Sequence, residues 1–517
     1  MGENKMLIYN ADILSMDRNN TQYNWMAIKD GRIINIGING GYEQYLNDYA
    51  DKINMRGQTI VPGFYDCHVH IVQTGLNFEG LDFINTTSIK DTLELIENKA
   101  KTVTKDELIR GIHYDVTKIK ERRFPTRHEL DLVAPNNPIW INSIEFHTSA
   151  LNSLAVNVIN LPLNIGGIAR DERNLPLGYF TGKASALIRN KMLNIMDKKI
   201  RMKGVNKAVE FALSKGITSI NAMEGGYTSH ENDVLFLLEN KTSFPLDIEI
   251  YYQSFSYDKI SNYGIKHIGG DISIDGAFNS RTAAISKDYI DAKDNKGMLY
   301  FSQEELDYFV VKAHEMGLQI ALHAVGDRAI EQVLNSFETA LKKHPKRDHR
   351  HRIEHFELAT EEQINRAKKM DLVISVQPAF EYYWGMSDGM YVNRLGEELA
   401  NKTNDFKTQI DKGIVLCGGS DSDVTEMNPI LGIYSAVNHP KKDKSVSVID
   451  ALKMFTINGA YACFEEQIKG SLEVDKYADF VVLDKNPLEV NKEDIIHIQV
   501  LETYKEGHKI FELESEV

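Results

Sequence analysis

The chain of 517 residues carries 59 basic and 74 acidic side chains, a formal charge of −15 with histidine neutral, and 42% of it is hydrophobic. This is the composition of a soluble globular protein, long enough for two to four ordinary domains or for one barrel of roughly 250 residues with additions. The acidic balance repels a phosphate backbone, and the basic stretch from Lys342 to Arg352 is too short to reverse that field, so nucleic acid is not an expected partner.

Only Cys67, Cys417 and Cys463 are present, without paired-cysteine zinc spacing or a disulfide framework, and a reducing cytoplasm is the expected compartment. The segment Met1 to Lys5 runs straight into the alternating Met6 to Leu14, with no apolar stretch of the length and flanks an export signal needs. No apolar run approaches the ~18 residues that span a bilayer, and position 6 is Met where myristoylation wants Ser or Thr. A membrane is not implied.

Residues 1–60 predict short strands, Met6 to Tyr9, Asn24 to Ile28 and Arg32 to Ile36, with Asp30-Gly31 as a hairpin signal. The C-terminal part has the same character at Ala478 to Asp484 and Ile496 to Tyr504, so residues 1–60 and 466–517 are expected to build one β-sandwich domain together. Between them, over 61–465, eight short β-branched runs are each followed by a helical pattern. They are Thr59 to His70, Ile217 to Met223, Leu246 to Gln253, Asp271 to Ala277, Gln319 to Ala324, Arg352 to Glu357, Leu372 to Gln377 and Ile414 to Asp421. Eight such units predict a closed (β/α)₈ TIM barrel in an α/β fold. The stretch from about 75 to 210 interrupts the series after the first strand and reads as a mainly helical insertion, expected to cover the barrel mouth.

The sharpest local feature is Asp66-Cys67-His68-Val69-His70, ending the first predicted barrel strand. Side chains alternate across a strand, so Asp66, His68 and His70 share one face and Cys67 and Val69 the other. Two imidazoles on one face at a strand's C-terminal end can share a metal. Three more metal-type residues stand near the ends of other predicted strands: His323, His355 and Asp421. In a closed barrel these ends converge on one pocket.

His344, His349 and His351 lie in a Lys/Arg-rich segment read as a solvated helix end and loop. His147 ends an apolar run in the insertion, where it serves either as a substrate contact or in a local turn. No G-x-S-x-G elbow, H-E-x-x-H or dinucleotide fingerprint is present. Cys67 and Cys417 read as packed core thiols rather than nucleophiles.

These residues resemble the metal-dependent amidohydrolase superfamily, in the amidohydrolase 3 branch of YtcJ-like hydrolases and N-substituted formamide deformylases. The resemblance is carried by Pro62-Gly-Phe-Tyr-Asp-Cys-His-Val-His70, Asp275-Gly-Ala277 with Ser280-Arg-Thr-Ala283, His323-Ala-Val-Gly-Asp-Arg-Ala329 and Arg352-Ile-Glu-His355. It continues through Gly419-Ser-Asp421 with Asn428 to Tyr434, Thr456 to Ala460, Lys469 to Leu472 and Ala478 to Asp484.

The resemblance implies a TIM barrel with a β-sandwich split between the termini, holding a divalent metal, zinc first, at one or two ions per chain. It implies His68 and His70 as first-strand ligands, His323 and His355 as fifth- and sixth-strand ligands, and Asp421 as an eighth-strand ligand that handles the proton. Members of the superfamily often bridge two metals with a carboxylated lysine on the fourth strand, which this chain lacks. Glu224, after the second strand, is the leading substitute, with Asp271 and Lys183 as competitors. If none of these bridges, the site is mononuclear.

The implied reaction is hydrolysis of a non-peptide C–N bond in a small amide, N-substituted formamide or cyclic amide by metal-activated hydroxide. Asp421 would act as base and then acid, and His355 or a second metal would polarise the carbonyl. Asp275 and Arg281 join His147 as candidate substrate contacts, Arg281 being open to bracing its own loop instead.

A second reading is a ring deaminase, but deaminases of this superfamily typically carry a glutamate three residues after the fifth-strand histidine, where this chain has Gly326. A third is a non-catalytic metabolite-binding barrel, which the complete set of ligand-type residues disfavours. Tyr382, Tyr383 and Trp384 read as a pocket wall, a contact within a homodimer, or loop packing.

Overall fold

The computed structural model describes residues 5–143, 148–162, 164–226, 230–346 and 348–514, except the side chains of 183 and 186. The chain divides into two units, Met1–Ile71 with Val209–Thr228 and Leu237–Val517, and Val72–Ala208 with Ser229–Phe236. Among the described residues no helix is long and apolar enough to cross a membrane.

In the first unit eight parallel strands follow one another in sheet order and in sequence order: Phe64–Val69, Ile217–Glu224, Asp247–Tyr252, His267–Ser273, Gln319–Ala324, Arg352–His355, Val373–Val376 and Val415–Gly418. The circle is drawn together beyond the eighth strand, where Val69 bridges to Ser422 and the His70 amide donates to the Ser422 carbonyl at 2.7 Å. Helices follow strands because their apolar positions recur every three to four residues. Gln303–Glu315 opens on a reciprocal cap between Ser302 and Glu305, and Asp327–Lys343 buries Ile330, Val333, Leu334, Phe337 and Ala340.

The run Thr59 to His70, expected as one strand, is two. Thr59–Pro62 belongs to an eight-stranded terminal sheet, and Phe64–Val69 to the barrel. In the terminal sheet Thr59–Pro62 pairs antiparallel with Phe480–Leu483 and parallel with Lys5–Leu14, so both ends of the chain meet in one sheet as expected. Ile8, Ile13, Met26, Ile60, Phe480 and Val482 form its core. The predicted hairpin is present: Lys29 pairs Arg32, and Asp30 and Gly31 take φ of 48° and 79°, the two left-handed positions of a twist-matched turn.

The fourth barrel strand differs most from expectation. It covers His267–Ser273 rather than starting at Asp271, and its pairing with the fifth strand shifts register between Ile268 and Ile272. Gly269 and Gly270 take φ of 93° and 39°, and a β-carbon on either would sit 2.2 Å from a carbonyl of a neighbouring strand. The glycine pair disguises the strand in the sequence and forms a bulge. The bulge moves Asp271 from the strand's beginning to its C-terminal end.

Two further expectations change. The Lys/Arg-rich segment is solvated only at its start: His344 is exposed, but His349 and His351 are buried. His351 stacks on Phe337, and its Nε2 lies 2.8 Å from His314 Nδ1. The second unit keeps its helices but is organised on a six-stranded sheet, in order Ile168–Arg170, Pro176–Thr181, Thr148–Leu151, Ile139–Ser143, Ile109–Tyr114, Leu81–Asp82. Phe83, Ile96, Ile109, Leu130 and Ile141 are part of its core.

Buried His439 offers a test of this packing. Its Nδ1 accepts from the Lys441 amide and its Nε2 donates to the Asn404 carbonyl, which fixes a neutral ring. Burial pushes its pKa down to about 4; Lys441 and Lys444 add to that push and Glu381 opposes it. The unfolded ring titrates near its ordinary value of about 6.5, so the stability this neutral ring contributes is full above that pH and is lost as pH falls towards 4. The wild type is therefore expected to lose up to roughly 3 kcal/mol more than His439→Asn between pH 7 and pH 4. Thermal midpoints across that range check this, and parallel curves would contradict it.

Candidate metal centre

The C-terminal ends of the strands bring the ligand-type residues together. His68 lies on the first strand and His70 directly after its end, on the same side as alternation predicts, while Cys67 packs on the other side with Tyr65, Cys417 and Ala460. Asp421 follows the eighth strand, and its amide donates to the His68 carbonyl at 2.8 Å, so backbone pairing places it beside that imidazole. Its Oδ1 lies 3.4 Å from His68 Nε2 and 3.3 Å from His70 Nε2. Asp271, His355 and Asp421 have φ of 72°, 71° and 54°, a left-handed backbone that residues with a β-carbon adopt less often.

Asp271 is the hub. Its Oδ1 lies 3.2 Å from His323 Nδ1, 3.3 Å from His355 Nε2 and 3.7 Å from His68 Nε2, and its Oδ2 lies 3.7 Å from His70 Nε2. Among the described residues two triads present ligand atoms close enough to hold an ion, His68-His70-Asp421 and His68-Asp271-His355. Glu224, the leading bridging candidate of the sequence, ends its strand fully buried but joins neither triad. His147 and the side chain of Lys183 lie outside the described residues.

Hydrogen bonds behind the ligands set which ring nitrogens face the centre. His68 Nδ1 donates to Glu354 Oε2 at 2.8 Å, and His70 Nδ1 donates to the Met223 carbonyl at 2.8 Å, so each Nε2 keeps its lone pair for an ion. His68 Nε2 is fully buried with no hydrogen-bond partner, and so is His355 Nδ1. An orphaned imidazole nitrogen beside two carboxylates fits a divalent cation and leaves a buried polar atom unsatisfied without one.

The charge pattern agrees. Burial lowers the affinity of His68, His70 and His323 for a proton, but Asp271 and Asp421 or Asp275 outweigh it, holding His70 and His323 up at about 9 and His68 well above its ordinary value. Burial favours the neutral acid at Asp421, and the imidazoles of His68, His70 and His355 overcome it, so the carboxylate stays ionised. The carboxylates therefore favour positive charge at the triads, carried either by a proton on the rings or by a cation in its place.

Sequence reasoning missed the support for His68. Arg352 is fully buried and donates from Nε and Nη2 to the two Glu354 oxygens at 2.8 and 2.9 Å, from Nη2 also to the Cys67 carbonyl at 2.7 Å, and from Nη1 to Asn221 Oδ1 at 2.6 Å. Burial would raise the pKa of Glu354, but Arg352 and His68 hold it below its ordinary value. The available signal was a pair of opposite charges, two residues apart, inside a predicted core strand.

The two predicted substrate contacts that can be placed do other work. Asp275 is fully buried and accepts from the Ala284, Val325 and Gly326 amides at 2.7, 3.0 and 2.9 Å, so it organises the loops after two strands. Arg281 donates twice to Asp291, at 2.9 and 2.7 Å, which braces its loop. A cavity of about 340 Å³ opens over the centre, lined by His70, Asp271, His323, His355 and Asp421 and walled by Phe278, Phe380, Trp384 and Tyr391. Of the aromatic trio read from the sequence only Trp384 lines it; Tyr382 and Tyr383 are 43% and 46% exposed.

A parallel barrel with paired histidines on its first strand, single histidines on its fifth and sixth, and an aspartate after its eighth defines a class. The chain belongs to the amidohydrolase family, which matches residues 51–511, and is a metal-dependent hydrolase acting on carbon–nitrogen bonds. It is similar to the putative amidohydrolase YtcJ of Bacillus subtilis (strain 168), 26% identical over 505 residues that cover 92% of this chain and 93% of that protein. It is also similar to the N-substituted formamide deformylase of Arthrobacter pascens, 25% identical with 97% of each chain covered. An uncharacterized metal-dependent hydrolase from Pyrococcus furiosus superposes with a TM-score of 0.80 at 26% identity, covering 94% of this chain and all of that one.

Proposed function

We propose that this chain hydrolyses the C–N bond of a small non-peptide amide, N-substituted formamide or cyclic amide, at a centre of two adjacent divalent ions. The observation that carries this reading is the convergence of four imidazoles on the single carboxylate of Asp271. His68, His70 and Asp421 would hold one ion, His323 and His355 the other, and Asp271 would reach both. Zinc suits a donor set of imidazoles and carboxylates. When bound, such an ion brings the pKa of water from about 15.7 to near 7 and polarises a carbonyl.

The chain's own groups do the rest. Asp421, ionised and at the cavity edge, accepts the proton of the attacking water and returns it to the leaving nitrogen. His68 and His70 are kept in one tautomer by Glu354 and the Met223 carbonyl, so the cavity floor is set before substrate arrives. The apolar walls exclude water other than the reactant. The similarity to an N-substituted formamide deformylase supports formamides as the first substrates to try. Three free, buried thiols suit a reducing compartment such as the cytoplasm.

Metal content per chain by plasma mass spectrometry, on protein purified without chelator, tests the centre. The wild type and Glu224→Ala are expected to hold about two ions and Asp271→Ala one or none. Loss from Glu224→Ala with retention in Asp271→Ala would overturn the assignment. Hydrolysis of a panel of formamides, acyl amides and cyclic amides, abolished by chelation and restored by zinc, tests the activity.

A further inference from the structure

One buried group of the cavity has no part in this chemistry. Glu357 lines the cavity and is only 6% exposed. Its Oε2 accepts from the Tyr391 hydroxyl at 2.6 Å, and its backbone carbonyl accepts from the Asn404 amide at 2.7 Å. Asn404 Nδ2 also donates to Glu381 Oε1 at 2.9 Å and to the Tyr391 hydroxyl at 3.4 Å, so a polar layer braces the carboxyl from behind. No donor among the described residues reaches its Oε1. Phe278 and Phe380 carry no donor, and among the described residues the indole N–H of Trp384 makes no hydrogen bond to Glu357.

Oε1 opens to the cavity, and a ligand that displaces solvent from it without offering a donor leaves the acceptor unpaired, at a cost on the order of 1–3 kcal/mol. A hydrogen-bonding ligand removes that cost, and an apolar one does not.

We propose that Glu357 is the specificity-determining residue of this site, its open carboxyl oxygen receiving a hydrogen bond from an amine or ammonium group on the substrate. This rests on the hydrolase reading above and deepens it. The substrate class is a small amide whose apolar body lies against the aromatic wall and carries an amino group away from the scissile bond. Lacking that group, an otherwise identical amide leaves the carboxyl unpaired and is discriminated against.

The test compares N-formyl-1,6-diaminohexane with N-hexylformamide on the metal-loaded enzyme, and the product amines 1,6-diaminohexane and hexylamine by titration calorimetry. The wild type is expected to favour the amino-bearing formamide by about 30-fold or more in kcat/KM. Glu357→Gln, which keeps the shape and an acceptor for Tyr391, is expected to abolish that preference through KM. Its kcat on N-hexylformamide should stay within about threefold of wild type, a split that a general loss of structure would not give.

Equal kcat/KM for the two formamides in the wild type overturns the proposal, whether or not the variant folds. So does a preference that survives Glu357→Gln. If neither formamide is turned over, the activity reading fails for formamides and binding decides. Tighter binding of 1,6-diaminohexane than hexylamine by about tenfold, lost in Glu357→Gln, sustains the proposal, and equal binding sinks it.

Discussion

Replacement of Asp421 by Asn is expected to lower kcat on any amide the wild type hydrolyses by about 10²–10⁴-fold, the range lost when a positioned proton acceptor is removed. The substitution preserves volume and the backbone link from the Asp421 amide to the His68 carbonyl, so the barrel seam should stay intact. What changes is the oxygen 3.3–3.4 Å from His68 and His70, which loses its negative charge and its capacity to carry a proton. Rates should be normalised to metal measured in the same samples, because Asp421 is also a proposed ligand. A variant that keeps its metal and more than about a tenth of the activity would remove Asp421 from the proton path.

The second large effect is expected at the charge pair behind His68. Arg352→Met leaves Glu354 buried without its cation, a change that costs about 3–5 kcal/mol in comparable buried pairs. Glu354→Gln is milder for folding but takes away the carboxylate that holds the His68 tautomer, and metal affinity is expected to drop by about 10–100-fold. Replacing both residues by apolar ones of similar size should restore much of the stability but not the affinity, which separates the two roles. Denaturation curves and competitive chelator titrations measure the two quantities. Unchanged affinity in Glu354→Gln would show that His68 is oriented by packing alone.

The sequence was most legible where chemistry coincides with periodicity. His68 and His70 follow from alternation along one strand, and His323, His355 and Asp421 from their places at the ends of apolar runs. Asp271 was harder, because Gly269 and Gly270 break the apolar run that would have marked its strand, and the bulge that aims it is a backbone feature. It stood only as a competitor to Glu224, which joins neither triad among the described residues. Arg352 and Glu354 were passed over because a charged pair in a core strand has meaning only once both partners are seen to close on each other. The segment around His349 and His351 shows the opposite error, since a basic run looks solvated although its latter half turns inward. The cavity wall was least legible: Phe278, Phe380 and Tyr391 come from separate loops and helices, and no spacing in the sequence brings them together.

The pairing of Thr59–Pro62 with Phe480–Leu483 has a consequence for how the chain is made. Some 420 residues separate these partners, and at a synthesis rate of about 5–20 residues per second the first waits roughly 20 to 80 s for the second. Throughout that interval the terminal sheet has an open edge directly before the strand that bears His68 and His70. An unpaired apolar edge can recruit a wrong neighbour, so this pairing leaves the N-terminal strands open to mispairing until the C-terminal part of the sheet is made.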